Sequence, residues 1–140
     1  MALVTDIMTS DVVTVESSET VFDAALRMVA HDMGCLVVTK NGGPGGTITL
    51  TDIVSKVICK RKDPSRVLVG EAMSSPLVAV HPLMELEELA DTFNKTGLKR
   101  LGVVSSGQLE GIVSTEDLIA AETRLIKVLG RYIELLKSGR

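Results

Sequence analysis

Gly111-Ile112-Val113-Ser114-Thr115-Glu116-Asp117 closes an apolar run, adds a hydroxyl, and sets an Asp before a second apolar run, Leu118, Ile119 and Leu125. The same order stands 65 residues earlier as Gly46-Thr47-Ile48-Thr49-Leu50-Thr51-Asp52, leading into Ile53, Val54 and Val57. Each copy reads as a short strand, a hydroxyl residue and the start of a helix. A carboxylate there is favoured by the positive end of the helix dipole. The first-turn N–H groups have no partner inside the helix and also favour anions. Such a spot can hold a diol on the Asp and a phosphate near the amides. One copy alone is ordinary N-capping, which Ser, Thr and Asp perform widely.

The rest of the chain repeats as well. Ile7-Met8-Thr9-Ser10 returns as Ala72-Met73-Ser74-Ser75, and Val12-Val13-Thr14-Val15 as Leu77-Val78-Ala79-Val80. Val21, Ala24, Ala25 and Met28 return as Leu86, Leu89, Ala90 and Phe93, one face of a helix in each unit. Leu36-Val37-Val38 reads as Gly102-Val103-Val104, one residue later in register. A fixed-period repeat of this kind means two copies of one supersecondary unit. Each unit reads strand, helix, strand, strand, helix.

The ordered set of Met-Thr/Ser, Val-Val strand and Gly-h-h-Thr/Ser-x-x-Asp ending, present twice, resembles the CBS motif. The two units together resemble a CBS-domain pair, or Bateman module, over about residues 4 to 120. The resemblance implies an α/β fold of the α+β type: tandem β-α-β-β-α units around mixed three-stranded sheets, related by a pseudo-twofold axis. It implies two clefts between the units that take adenosine compounds: AMP, ADP, ATP or S-adenosylmethionine. Carried over position by position, the first cleft joins Thr49, Thr51 and Asp52 with Ser74, Val78, Lys99 and Arg100. The second joins Ser114, Glu116 and Asp117 with Thr9, Val13, Met33 and Gly34. Lys99 and Arg100 would meet phosphate, Arg through planar paired donors. Glu116 would repel phosphate in the second cleft, so phosphate is expected mainly in the first.

Composition narrows the function. A formal charge of −3 and a pI near 5.4 argue against nucleic-acid or anionic-membrane binding. Phe22, Phe93 and Tyr132 are the only aromatics, too few for a base-stacking platform. Cys35 and Cys59 form no CxxC pattern and read as reduced thiols of a cytoplasmic protein. No signal peptide or membrane span is expected. His31 and His81 are too few for a metal site, and no nucleophile–base set can be named. No enzyme, metal or cofactor is expected.

The expected organisation is a first unit over 1–59, a connector over 60–69, a second unit over 70–120 and a C-terminal amphipathic helix over 121–140. The connector, with Lys60, Arg61, Lys62 and Arg66, reads as solvated. Ser17-Ser18 is expected to cap the first long helix, and Asn41 to Gly46 to form a mobile hairpin loop. From Asp117 to Lys137 an apolar stripe runs at helical spacing: Leu118, Ala121, Leu125, Val128, Tyr132 and Leu135, widened by Ile119, Ile126, Leu129, Ile133 and Leu136. So broad a stripe must be buried, and a homodimer contact is favoured over packing on its own chain. The reading is a stand-alone regulatory sensor that binds an adenosine ligand and acts on an unidentified partner. The alternative is a structural pairing module with empty clefts.

Overall fold

The computed structural model describes residues 2–138, except the side chains of Leu125, Ile126 and Ser138, so part of the predicted stripe lies outside the description. In chain order the elements are α1 (Val4–Ile7), β1 (Thr14–Glu16), α2 (Val21–His31), β2 (Cys35–Lys40), β3 (Gly43–Thr49) and α3 (Leu50–Ile53), which runs on through a π-helical turn, Val54–Ile58. The second half repeats them: α4 (Val69–Ala72), β4 (Ala79–Val80), α5 (Leu86–Thr96), β5 (Arg100–Ser105), β6 (Gln108–Ser114) and α6 (Thr115–Ser138). Each half holds one three-stranded mixed sheet, β1-β2-β3 and β4-β5-β6, with a parallel first pair and an antiparallel hairpin.

The 65-residue offset holds through both sheets. Thr14 pairs with Val37, and Ala79 with Gly102. The expected one-residue slip is therefore absent: Leu36, Val37 and Val38 correspond to Leu101, Gly102 and Val103. A glycine replaces a valine because Leu77 covers the strand there; a Cβ at Gly102 would lie 2.7 Å from a Leu77 methyl. The expected long glycine loop is also absent. Asn41 and Gly42 form a two-residue turn with φ of 53° and 81°, as do Ser106 and Gly107 with 52° and 75°. Positive φ at both central residues matches the type I′ turn that fits strand twist. Gly43, Gly45 and Gly46 belong to β3. The α2 cap is Thr20 rather than Ser17 or Ser18, and it forms a reciprocal capping box with Asp23.

The units exchange their first segments. Leu3 bridges to Glu85 and Thr9 to Ile112, so residues 3–9 are tied to the second unit. Leu68 bridges to Thr20 and Ser74 to Thr47, the same pair of contacts 65 residues on. Val4 accordingly lies in the core with Leu89, Phe93, Leu101 and Val113, whereas Val67, Val69 and Ala72 lie in the core with Val21, Met28, Leu36 and Ile48. The connector read as solvated thus ends in buried side chains, because the second unit's first turn completes the first unit's core.

Candidate functional site

Both repeated Asp residues sit at the third position of a helix and close a capping box. The Asp52 N–H donates to Thr49 Oγ1 at 3.1 Å, and Asp52 Oδ2 accepts the Thr49 N–H at 3.0 Å. Asp117 does the same with Ser114, at 3.1 and 2.8 Å. The hydroxyl and the Asp therefore stay together whatever else they do. What differs is the second carboxylate oxygen.

In the first cleft that oxygen is occupied. Asp52 Oδ1 accepts from Lys56 Nζ at 3.0 Å and from Ser74 Oγ at 3.1 Å. Lys56 also donates to the Ala72 carbonyl at 3.1 Å. Lys56 lies one helical turn beyond Asp52 and so reaches it from the same face. The result is a latch across the units that leaves Asp52 buried, 7% exposed. Burial pushes its carboxyl up, but the Lys56 ammonium and the Thr49 N–H outweigh this and hold it below the usual carboxylate range. A depressed folded-state pKa stabilises the fold above the ordinary Asp range, near pH 4, and that contribution is lost as pH falls through the folded pKa. The acid limb of the stability curve is thus expected to flatten in Asp52→Asn. Urea unfolding between pH 2 and 7 checks this, and an acid limb identical to the parent's would contradict it.

The pseudo-symmetric position of Lys56 is Ala121. With no ammonium to reach it, Asp117 Oδ1 has no hydrogen-bond partner among the described residues. Asp117 instead lines an open cleft of about 220 Å³ with Ser114, Ile112 and Arg100 of the second unit and Thr9, Asp32, Met33, Gly34 and Cys35 of the first. Burial pushes the Cys35 thiol up, against the pull of the Arg100 guanidinium, so it is a neutral wall.

The structure thus brings together Thr9, Met33, Gly34, Ser114 and Asp117 as the sequence reading grouped them. Arg100, grouped there with Asp52, lines the Asp117 cleft instead. The strand register explains the change: Arg100 pairs with Ser114, the cap of Asp117. Thr49 and Ser74 meet Asp52, but as partners in the latch. Thr51 is exposed and its carbonyl accepts from Ser55 Oγ. Lys99 is exposed, and its carbonyl accepts the Thr115 N–H. The Val78 carbonyl is taken by the Gly102 N–H, and Val13 packs on the first core. Glu116 is exposed and outside the cleft lining. The sequence reading missed Lys56, although Asp52–Lys56 against Asp117–Ala121 was visible at i, i+4. It also missed Asp32, Cys35 and Ile112, which only the folded backbone brings to the cleft.

The profile of the CBS domain family matches residues 4–58 and 69–124. The chain belongs to the CBS-domain family. The CBS domain-containing protein YhcV of Bacillus subtilis is 34% identical over 118 residues, 84% of either chain. The Methanopyrus kandleri protein MK0525 is 34% identical over 121 residues, which are 85% of this chain and 62% of that protein. Among solved structures, the hexameric CBS-CP12 protein from bloom-forming cyanobacteria superposes with a TM-score of 0.77 at 36% identity, covering 84% of this chain and 66% of that one. Hypoxic Response Protein I, solved with two coordinated zinc ions, gives 0.76 at 28% identity over 85% and 98%. Among the described residues of this chain, no group of three or more His, Cys, Asp or Glu could hold a metal ion. CBS-domain pairs form a family of regulatory and sensor modules, and the two CBS domains of this chain make one such pair.

Proposed function

We propose that the protein is a regulatory CBS pair that binds one adenosine-containing ligand per chain, in the cleft at Asp117. The observation that carries this is the pairing of an open carboxylate oxygen with a guanidinium in one cleft. Asp117 Oδ1 accepts from ribose hydroxyls, and Arg100 meets phosphate or another anionic tail. The cleft volume of about 220 Å³ lies under the roughly 300 Å³ at which pockets enclose drug-sized ligands, so it suits the sugar–phosphate portion. Filling it ties the first unit's Thr9 and Met33 to the second unit's Asp117 and Arg100, and a partner reads that change. The chain acts without catalysis in the cytoplasm, as a homodimer joined through α6. The structural-module reading is favoured for the Asp52 cleft alone, where Lys56 already fills the ligand's place.

The test is calorimetry with AMP, ATP, adenosine and S-adenosylmethionine. Charge-assisted contacts contribute about 1.5–3 kcal/mol each, so Arg100→Ala is expected to weaken AMP binding by roughly ten- to a hundredfold. It leaves adenosine affinity near the parent's. Equal affinity of parent and Arg100→Ala for AMP would remove Arg100 from the site.

A further inference from the structure

A second, larger concavity lies away from the Asp117 cleft. It is a groove of about 790 Å³ between α1, α5 and α6, with Ile7, Leu86 and Ala90 on its floor and Asp6, Glu85 and Glu87 on its rim. Its own α6 forms one wall through Ala121 and Val128. That helix runs unbroken to Ser138, so its second half cannot turn back into the groove it borders. Beyond the groove every described α6 side chain from Lys127 to Lys137 is exposed. Leu129, Tyr132, Ile133 and Leu136 fall at i, i+3, i+4 and i+7, one face of the helix, and are 50%, 58%, 49% and 58% exposed.

We propose that this half of α6 docks into the α1–α5–α6 groove of a second copy of the chain, and the second copy's α6 into the first. The inference rests on the self-association reading above and adds where the helix lands. Charge selects the occupant. The groove is lined by four carboxylates, Asp6, Glu85, Glu87 and Glu122, against one cation, Arg124, while α6 after Val128 carries Arg131 and Lys137 at the edges of its apolar arc, with Glu134 as its one acid. Shape agrees: an apolar floor under an open mouth accepts a helix face at i, i+3, i+4 and i+7. Reciprocal docking gives a closed twofold pair with the contact made twice. Phe22, Leu26 and Val29 form another exposed apolar surface, on α2.

The test uses the whole 140-residue chain, because the charge and α6 substitutions fall on exposed side chains outside both cores. Light scattering and sedimentation are expected to show a dimer for the parent and monomer for Leu129→Glu/Ile133→Glu. Glu85→Lys/Glu87→Lys is expected to raise the dimer dissociation constant at least tenfold, as is Arg131→Glu. Combining the Lys pair with Arg131→Glu restores dimerisation at least in part. Ala90→Cys and Leu129→Cys chains, each with Cys59→Ser, cross-link on mixing and oxidation. Loss of the dimer in Leu129→Glu/Ile133→Glu without any effect of the groove charges, and without the cross-link, would keep self-association and overturn the groove. A dimer that survives Leu129→Glu/Ile133→Glu would overturn both readings and move the contact to the α2 surface.

Discussion

Asp117→Ala is expected to weaken AMP binding by about a hundredfold or more, whereas Asp52→Ala leaves the AMP affinity near the parent's. The asymmetry follows from which oxygens are already engaged. Asp117 offers one uncommitted oxygen to the open cleft, and its other oxygen is held by the Ser114 N–H at 2.8 Å. Two charge-assisted ribose contacts at about 1.5–3 kcal/mol each supply the predicted loss. Asp52 has no such oxygen, since Lys56 and Ser74 both meet Oδ1. Loss of the bond from the Ser114 N–H also costs about 1 kcal/mol of stability in Asp117→Ala. Asp117→Asn separates the two effects: its side-chain oxygen keeps the cap while the charge is gone. Calorimetry on the three variants measures the affinities, and urea midpoints measure the folding cost. AMP binding that is lost in Asp52→Ala and kept in Asp117→Ala would reverse the assignment of the clefts.

Gly46→Val is expected to destabilise the fold by about 3–5 kcal/mol, a large share of a small domain's stability. A Cβ at Gly46 would run into the Ser74 carbonyl oxygen, with Met73 Sδ at 3.3 Å. Backbone cannot swing aside as a side-chain tip can, and overpacking of this kind costs about 1–3 kcal/mol. The two hydrogen bonds that join the units there, Thr47 N–H to Ser74 O at 3.0 Å and Ser74 N–H to Thr47 O at 2.8 Å, add about 1 kcal/mol each when broken. Gly111 is its pseudo-symmetric partner, with the Thr9 carbonyl oxygen 2.8 Å from a built Cβ. Gly43→Ala is the control, because nothing lies within 4 Å of the added methyl. Urea midpoints at constant m-value read the difference. A Gly46→Val midpoint close to that of Gly43→Ala would contradict the account.

The contrast between Gly46 and Gly43 shows what was legible in the sequence. The repeat, the order of elements and the core positions at helical spacing were readable, because hydrophobic periodicity depends on local geometry. Eight core positions recur at the 65-residue offset, from Val4 and Val69 to Ile53 and Leu118. The Gly97 stop of α5 was readable too, and it takes φ of 69° at the C-cap. The exchange of first segments was not readable: Val4 and Val69 carry no mark of which core they enter, and that depends on contacts distant in sequence. The glycines after Asn41 looked like a loop by composition, yet Gly46 is there for the close approach of Ser74.

The site divided in the same way. The Asp–hydroxyl pairs were legible because a capping box spans only four residues. The place of Arg100 was not, since it follows from the β5–β6 register that sets it beside Ser114. Lys56 was legible in principle, as an i, i+4 ion pair in one repeat and an alanine in the other. Comparing the repeats for what differs, rather than for what recurs, would have found it.

The number of AMP molecules bound per chain tests the central claim most directly. Isothermal titration of the 140-residue chain with AMP is expected to give one site per chain, abolished by Asp117→Ala and unchanged in number by Asp52→Ala. Two equivalent sites per chain, or a single site that survives Asp117→Ala, would contradict it.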